Sequence, residues 1–308
     1  MANPCRQESY KTVYNWQYVH SLDFWSRVLS THCAVPSAAP SVLQPLIYPL
    51  VQVTLGAARL IPTATYFPLR FHLVRSLIRI SSATDTYIPL APLLFEVLSS
   101  TELRKKPKPA SIRPLDWATT IRCPKGYLRT RVYQDGAAEQ LVELLGEFLG
   151  AWAKSVAFPE LATPVIVGVK RWIKRGESGN SKVSSWLGVL IQKVEANSNL
   201  VVLERNKLAG EIAPAGIEGD NSKSVLATVG FLADRDMDKM PLGAYLLAQR
   251  KIREEKRRLL EEAMRDEGER RRKDRKGGEE SSESEESEGE MDLDDEDDEE
   301  EAGGDESD

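Results

Sequence analysis

Three clusters of Lys and Arg are the residues of this chain with the clearest capacity for chemistry. The first contains Arg104, Lys105, Lys106, Lys108, Arg113, Arg122, Lys125, Arg129 and Arg131, interleaved with Trp117, Tyr127 and Tyr133. Cationic side chains bind phosphates, and aromatic or guanidinium planes stack on exposed bases, so this spacing points to RNA contact. The competing reading is a solvated loop whose aromatics pack on the protein, with RTRVYQ as a strand-like clip on a helix. A second cluster, Lys170, Arg171, Lys174 and Arg175, falls at the end of a predicted helix. Cations there are favoured by the helix dipole without a ligand, and they also suit phosphate. The third cluster, Arg270, Arg271, Arg272, Lys273, Arg275 and Lys276, fits a nuclear localisation signal or a nucleic-acid patch. Beyond it, Ser282 and Ser287 each have Glu three residues on, as an acidophilic kinase prefers.

No catalytic constellation accompanies these cations. The chain lacks phosphate-binding glycine loops and a nucleophile elbow. Asp85, Asp116 and Asp135 are expected at turns and caps, with Asp135 as a helix N-cap. The cysteines (Cys5, Cys33, Cys123) and histidines (His20, His32, His72) are few and scattered. That usage fits a reducing compartment, with no disulfide framework, metal or other cofactor expected. The first residues lack a signal-peptide pattern. The apolar run Ser41–Ile61 contains Gln44, Gln52, Thr54 and Arg59, and reads as a buried, central helix rather than a membrane span.

Charge divides the chain. Gly277–Asp308 holds 19 acidic residues and no basic ones. The remainder carries all 41 Lys and Arg against the other 28 of the 47 acidic residues, a net of +13. Such asymmetry points to nucleic acid or basic proteins as partners. The acidic stretch 277–308 has almost no aliphatic content and is expected to be disordered.

The elements that position the clusters are helices. An aromatic–Pro–Leu element occurs as Tyr48-Pro49-Leu50, Tyr66-Phe67-Pro68-Leu69 and Tyr87-Ile88-Pro89-Leu90, with prolines 19 and 21 residues apart. Proline suits a first helical turn, so one helix per step and a two-helix unit of about 40 residues follow. That is the period of HEAT-type arrays, whose repeats bury a face only against their neighbours. The expected fold is all-α: a HEAT/armadillo-like helical-repeat solenoid with a long C-terminal helix and a disordered acidic tail.

Helices are predicted over 8–31, 42–60, 69–80 and 87–99, the last opened by Pro89, giving the first part of the array over 1–100. Residues 101–134, with four prolines, nine basic and two acidic residues, read as a basic arm or linker. The array resumes over 135–208. There, Leu141, Leu144, Leu145, Phe148, Leu149, Trp152 and Val156 share a face. Thr163-Pro164 looks like a helix start, and Gly176 a helix end. Val183, Trp186, Leu187, Leu190, Ile191 and Val194 keep i, i+3, i+4 spacing, with a separate short element at Leu200–Leu208. A loop over 209–239 and a long charged helix over 240–276 complete the body.

The stretches PLIYPLVQVTLGAARLIPTATYFPLRFHLVRSLIRIS, TYIPLAPLLFEVL, PKGYLRTRVYQDGAAEQLVELLGEFL and SVAFPEL closely resemble the nucleolar complex protein 2 family, from about Asn15 to Leu208. The resemblance implies a non-enzymatic helical scaffold in assembly of the large (60S) ribosomal subunit, found in the nucleus, nucleolus and nucleoplasm. The implied partners are the first and third sister nucleolar complex proteins, pre-60S particles and precursor rRNA, with neither a membrane nor a small-molecule substrate. Members of that family are typically much longer, so an array cut from one is expected to expose an apolar end. A different class of function, an acidic-tailed histone chaperone or nuclear transport adaptor on a helical array, shares the charge pattern.

Overall fold

The computed structural model describes residues 9–35, 41–177, 179–212, 231–232 and 234–286. Among them there are nine α-helices and no strands. These are α1 (Trp16–His32), α2 (Ile47–Arg59), α3 (Phe67–Thr84), α4 (Ala91–Leu98), α5 (Thr101–Arg104), α6 (Arg131–Ala151), α7 (Phe158–Lys174), α8 (Ser181–Ile212) and α9 (Pro241–Glu286).

The chain divides into two units, Met1–Gln249 and Arg250–Asp308. The first is an all-α helical solenoid. Consecutive members of the series α1, α3, α6, α8 pack on one another, while α2 lies against α1 and α3, α4 against α6, and α7 against α8. Each helix therefore buries its apolar stripe only against neighbours in the array.

Proline sets several of the starts. Pro49 lies in the first turn of α2 and Pro68 in that of α3, as the repeat predicts. The third step differs: Ile88 and Leu90 are buried around Pro89, and α4 begins beyond it with Pro92 in its first turn. Similarly, α7 starts at Phe158 with Pro159 in the first turn, so Pro164 is inside the helix. Thr163 is not a cap there; its Oγ donates to the carbonyl of Pro159 at 2.6 Å.

α2 is not central. Tyr48 is 72% exposed, and Val53 and Leu60 also face outward. The helix buried nearly all round is α3, from Phe67 to Thr84. Its polar stripe joins helices: Arg79 reaches Asp23 of α1 at 2.6 Å, and Arg75 reaches Gln140 of α6 at 2.5 Å. Arg70, also buried, donates from Nη1 to Glu96 of α4 at 2.8 Å and to the carbonyl of Leu93 at 3.3 Å.

The two elements expected over 183–194 and 200–208 are one helix, α8. Asn197, at its middle, is fully buried and donates its amide to the carbonyl of Ala153 at 3.1 Å, so the polar residues there do not break it. The start of α9 belongs to the first unit. Met240 and Leu242 are buried, and Leu246 lies against Gly146 and Gly150 of α6, where a β-carbon would collide with it.

In the second unit, α9 continues as helical backbone past Lys276 to Glu286. Ile252, Leu259 and Leu260 are exposed, and Arg257 pairs with Glu261 one turn on at 3.7 Å. No described helix is long and apolar enough to cross a membrane.

Candidate nucleic-acid interface

The basic arm is ordered over much of its length and is tied to the array at both ends. α5 closes its beginning, and the buried Gln134 of α6 donates from Nε2 to the carbonyls of Glu102 at 2.6 Å and Lys105 at 2.8 Å. These carbonyls lie at the C-terminal side of α5, where intrahelical donors run out. At its other end the arm returns beside its start, in a short parallel bridge. Lys108 N–H donates to the carbonyl of Arg129 at 2.8 Å, and Arg131 N–H to that of Lys108 at 3.1 Å. Arg129 adopts the left-handed conformation (φ 70°), which costs a non-glycine residue roughly 1–2 kcal/mol. The next residue, Thr130, caps α6: its Oγ accepts from Tyr133 N–H at 3.2 Å. Asp135, expected to be that cap, lies inside the helix.

Asp135 has another task. It accepts from Asn180 at 2.5 Å, and pairs with Lys182 at 3.4 Å and Arg131 at 4.0 Å. Glu177 joins Arg104 of the arm, at 3.6 Å, to Arg175 of the second cluster, at 3.5 Å. Glu102 faces Arg129 at 3.5 Å. The turn that carries Glu177 follows from Gly176, the left-handed residue after α7 (φ 64°). Gly176 N–H donates to Ile173 at 3.0 Å, and Glu177 N–H reaches the Trp172 carbonyl at 3.5 Å, the two bonds of a Schellman ending.

Segments far apart in sequence thus form one surface. Glu102, Glu177 and Asp135 are recessed, with side chains 17%, 19% and 25% exposed. Arg104, Arg129, Arg131, Arg175 and Lys182 project from them, 46–64% exposed. Lys105, Lys106 and Lys108 are exposed alongside, and no ion pair holds them among the described residues. Ion pairs this exposed contribute at most about 1 kcal/mol each, so the cations are held in place without being spent.

Other predicted residues lie elsewhere. Arg122 and Lys125 are exposed on the part of the arm anchored where Cys123 N–H donates to Thr65 at 2.7 Å. Arg171 and Lys174 are exposed on the last turns of α7, and Lys170 pairs with Glu195 of α8. Arg270, Arg271, Arg272, Lys273, Arg275, Lys276 and Ser282 fall on α9 where only backbone is described, and Ser287 lies outside the described residues. Lys182 belongs to the surface but was missed by the sequence reading, having no basic neighbour to mark it.

The aromatics of the arm do not project. Tyr133 is fully buried and donates its hydroxyl to Ala64 at 2.6 Å. Trp117 packs between Phe71 and Tyr133, with ring centroids at 5.7 Å and 5.6 Å. Tyr127 is half-buried against the core. Burial pushes the Tyr133 hydroxyl well above its ordinary range and the Cys123 thiol up to about 12, so neither is poised to react at neutral pH. No group of three or more His, Cys, Asp or Glu among the described residues could hold a metal ion.

Comparison with known proteins decides what this array is related to. Residues 2–249 match the Noc2p family. The chain belongs to that family. A NOC2 family protein of Schizosaccharomyces pombe is 42% identical over 265 residues, 85% of this chain and 36% of the relative. Nucleolar complex protein 2 of Drosophila melanogaster is 33% identical over 253 residues, 82% of this chain and 31% of the relative. Nucleolar complex-associated protein 2 of Arabidopsis thaliana is 35% identical over 203 residues, 66% of this chain and 26% of the relative. The chain therefore spans about a third of the length of these Noc2p relatives. The family is one of nucleolar complex proteins and is not a known enzyme class.

Proposed function

We propose that this chain is a non-enzymatic scaffold in assembly of the large (60S) ribosomal subunit, acting in the nucleolus and nucleoplasm. The basic surface built by Arg104, Lys105, Lys106, Lys108, Arg129, Arg131, Arg175 and Lys182 contacts precursor rRNA in pre-60S particles. The solenoid holds a sister nucleolar complex protein, the first or third of that name, on the apolar outer side of α2, and the assembly moves with pre-ribosomes inside the nucleus. The observation that carries this reading is the convergence of cations from three separated segments on the surface of a Noc2p-family array. A folded chain that gathers like charges, and recesses the acids between them, builds a field suited to a polyanion.

Affinity purification of the full-length protein, with sequencing of the RNA and mass spectrometry of the proteins that copurify, tests this. Precursor rRNA, large-subunit proteins and a sister nucleolar complex protein are expected. Recovery of histones or import cargo without precursor rRNA would overturn the reading in favour of a chaperone or adaptor. Replacing Tyr48 and Val53 by Lys is expected to release the sister protein while leaving precursor rRNA bound.

A further inference from the structure

From the same surface, and resting on the RNA-contact reading above, we infer that it holds the phosphate backbone of double-stranded RNA, without base stacking. The conversion of aromatic side chains into core carries this inference. Proteins that grip single strands stack bases on exposed rings, each worth about 1–3 kcal/mol. Here Tyr133 and Trp117 are committed to packing against Phe71 and Ala64, and the indole of Trp117 occupies the space beside Gly136 where a side chain would stand. Tyr127 is bound into the turn before α6, its carbonyl accepting from Thr130 N–H at 3.0 Å and from Thr130 Oγ at 2.7 Å. Trp117 and Tyr127 are partly buried against the core, and the side chains of this surface that stand fully exposed include Arg104, Lys105, Lys106, Lys108, Arg129 and Arg131.

Those cations also stand on a fixed frame. The Gln134 bonds, the Lys108–Thr130 bridge and the Schellman turn at Gly176 pin the backbone under Arg104–Lys108, Arg129–Arg131 and Arg175. A pinned array of charges matches phosphates whose spacing is itself fixed, as in an A-form duplex. A flexible strand would have to be ordered to meet it, which costs conformational entropy. Duplex RNA is recognised mainly through shape, phosphates and 2′-hydroxyls, because its deep major groove hides the base edges. The surface therefore reads helical RNA without regard to sequence.

Fluorescence anisotropy on the full chain tests this, with an RNA duplex of about 16 base pairs, the span one double-stranded RNA-binding module covers. An unstructured single strand of equal length is the comparison. Duplex binding is expected to be at least about tenfold tighter at equal salt, indifferent to sequence, and to weaken about a hundredfold or more between 50 and 200 mM salt. The triple variant Lys105→Glu, Lys106→Glu, Lys108→Glu removes exposed cations that hold no ion pair among the described residues, and should lower duplex affinity about tenfold or more with unchanged circular dichroism. The control Arg59→Glu, Lys251→Glu should lower it much less.

Each outcome is decisive. Tighter binding of the single strand, lost in the triple variant, overturns the duplex inference and leaves the RNA reading standing. Binding of neither RNA overturns both. Equal losses in the triple variant and the control overturn this surface as the site.

Discussion

Gln134 offers a sharp test of how the array holds the basic surface in place. Its Nε2 donates to the carbonyls of Glu102 and Lys105, while its Oε1, also buried, has no hydrogen-bond partner among the described residues. Gln134→Met keeps the length and deletes both bonds. Each is worth about 0.5–1.5 kcal/mol net, so the loss is roughly 1–3 kcal/mol. Removing the orphaned Oε1 returns about 1 kcal/mol, leaving a net cost of about 0–2 kcal/mol. Gln134→Glu has nearly the same shape but opposes two carbonyls with a buried carboxylate, and should be worse than Met at pH 8. As pH falls toward 6 the carboxyl is expected to take up a proton and regain one donor, narrowing the gap. Urea denaturation at both pH values measures the stabilities. Hydrogen exchange reads the latch itself, through the amides of Arg104, Lys105 and Lys108, which donate to Ser100, Thr101 and Arg129. These amides should exchange faster in both variants, beyond any change in α3. Equal stability of the Met and Glu variants at pH 8, or unaltered exchange at Arg104–Lys108, would refute the latch.

Three further outcomes rest on other contacts of the fold. Arg70 is buried, its Nη2 without a hydrogen-bond partner among the described residues, whereas its partner Glu96 is half exposed, so Glu96→Leu should cost about 2 kcal/mol in urea denaturation, reduced from the full buried-pair value by solvent access. Arg70→Met should be neutral to within about 1 kcal/mol, and equal costs would sink this distinction. Gly176 has open space where a β-carbon would sit, so Gly176→Ala should lose about 1 kcal/mol for backbone strain alone, and Gly176→Asn less; identical losses would argue against the left-handed turn. At Asp23, burial alone would raise the pKa, but bonds from Arg79, Arg27 and Ser76 outweigh it and hold the carboxyl at about 2 against an ordinary 3.8. The depressed value means that its contribution is present above pH 3.8 and is lost as pH falls through about 2. After allowance for solvent screening this is about 1 kcal/mol, absent in Asp23→Asn and measurable as a smaller acid-induced drop in Tm. Burial first, then Arg75, lowers the His72 pKa, so the wild type also loses stability as pH falls below 6.5.

Much of the fold was legible in short windows of sequence, because backbone chemistry acts locally. Pro49 and Pro68 open helices since a first-turn residue needs no N–H donor. Gly176 ends α7 because the turn after it demands a positive φ. The i, i+3, i+4 spacing from Val183 to Val194 is the buried stripe of α8, with Trp186 half-buried at its edge. Where windows misled, a distant partner had decided the outcome. Residues 183–194 and 200–208 read as two elements until Asn197 between them donates its amide to Ala153 and is buried within one helix. Asp135 reads as a cap until Asn180 and Lys182 claim it, leaving Thr130 to cap α6.

By itself the sequence determined that this is a helical array with a basic body, an acidic end and the motifs of one nucleolar family, since periodicity, charge and motif are properties of the chain in order. Only the tertiary structure decided what the basic residues and their aromatic neighbours do. The rings of Trp117 and Tyr133 gain more by leaving water for the core than by waiting at the surface. Arg104 and Arg175 meet because Glu177 lies between them, a juxtaposition created by packing and written in no local pattern.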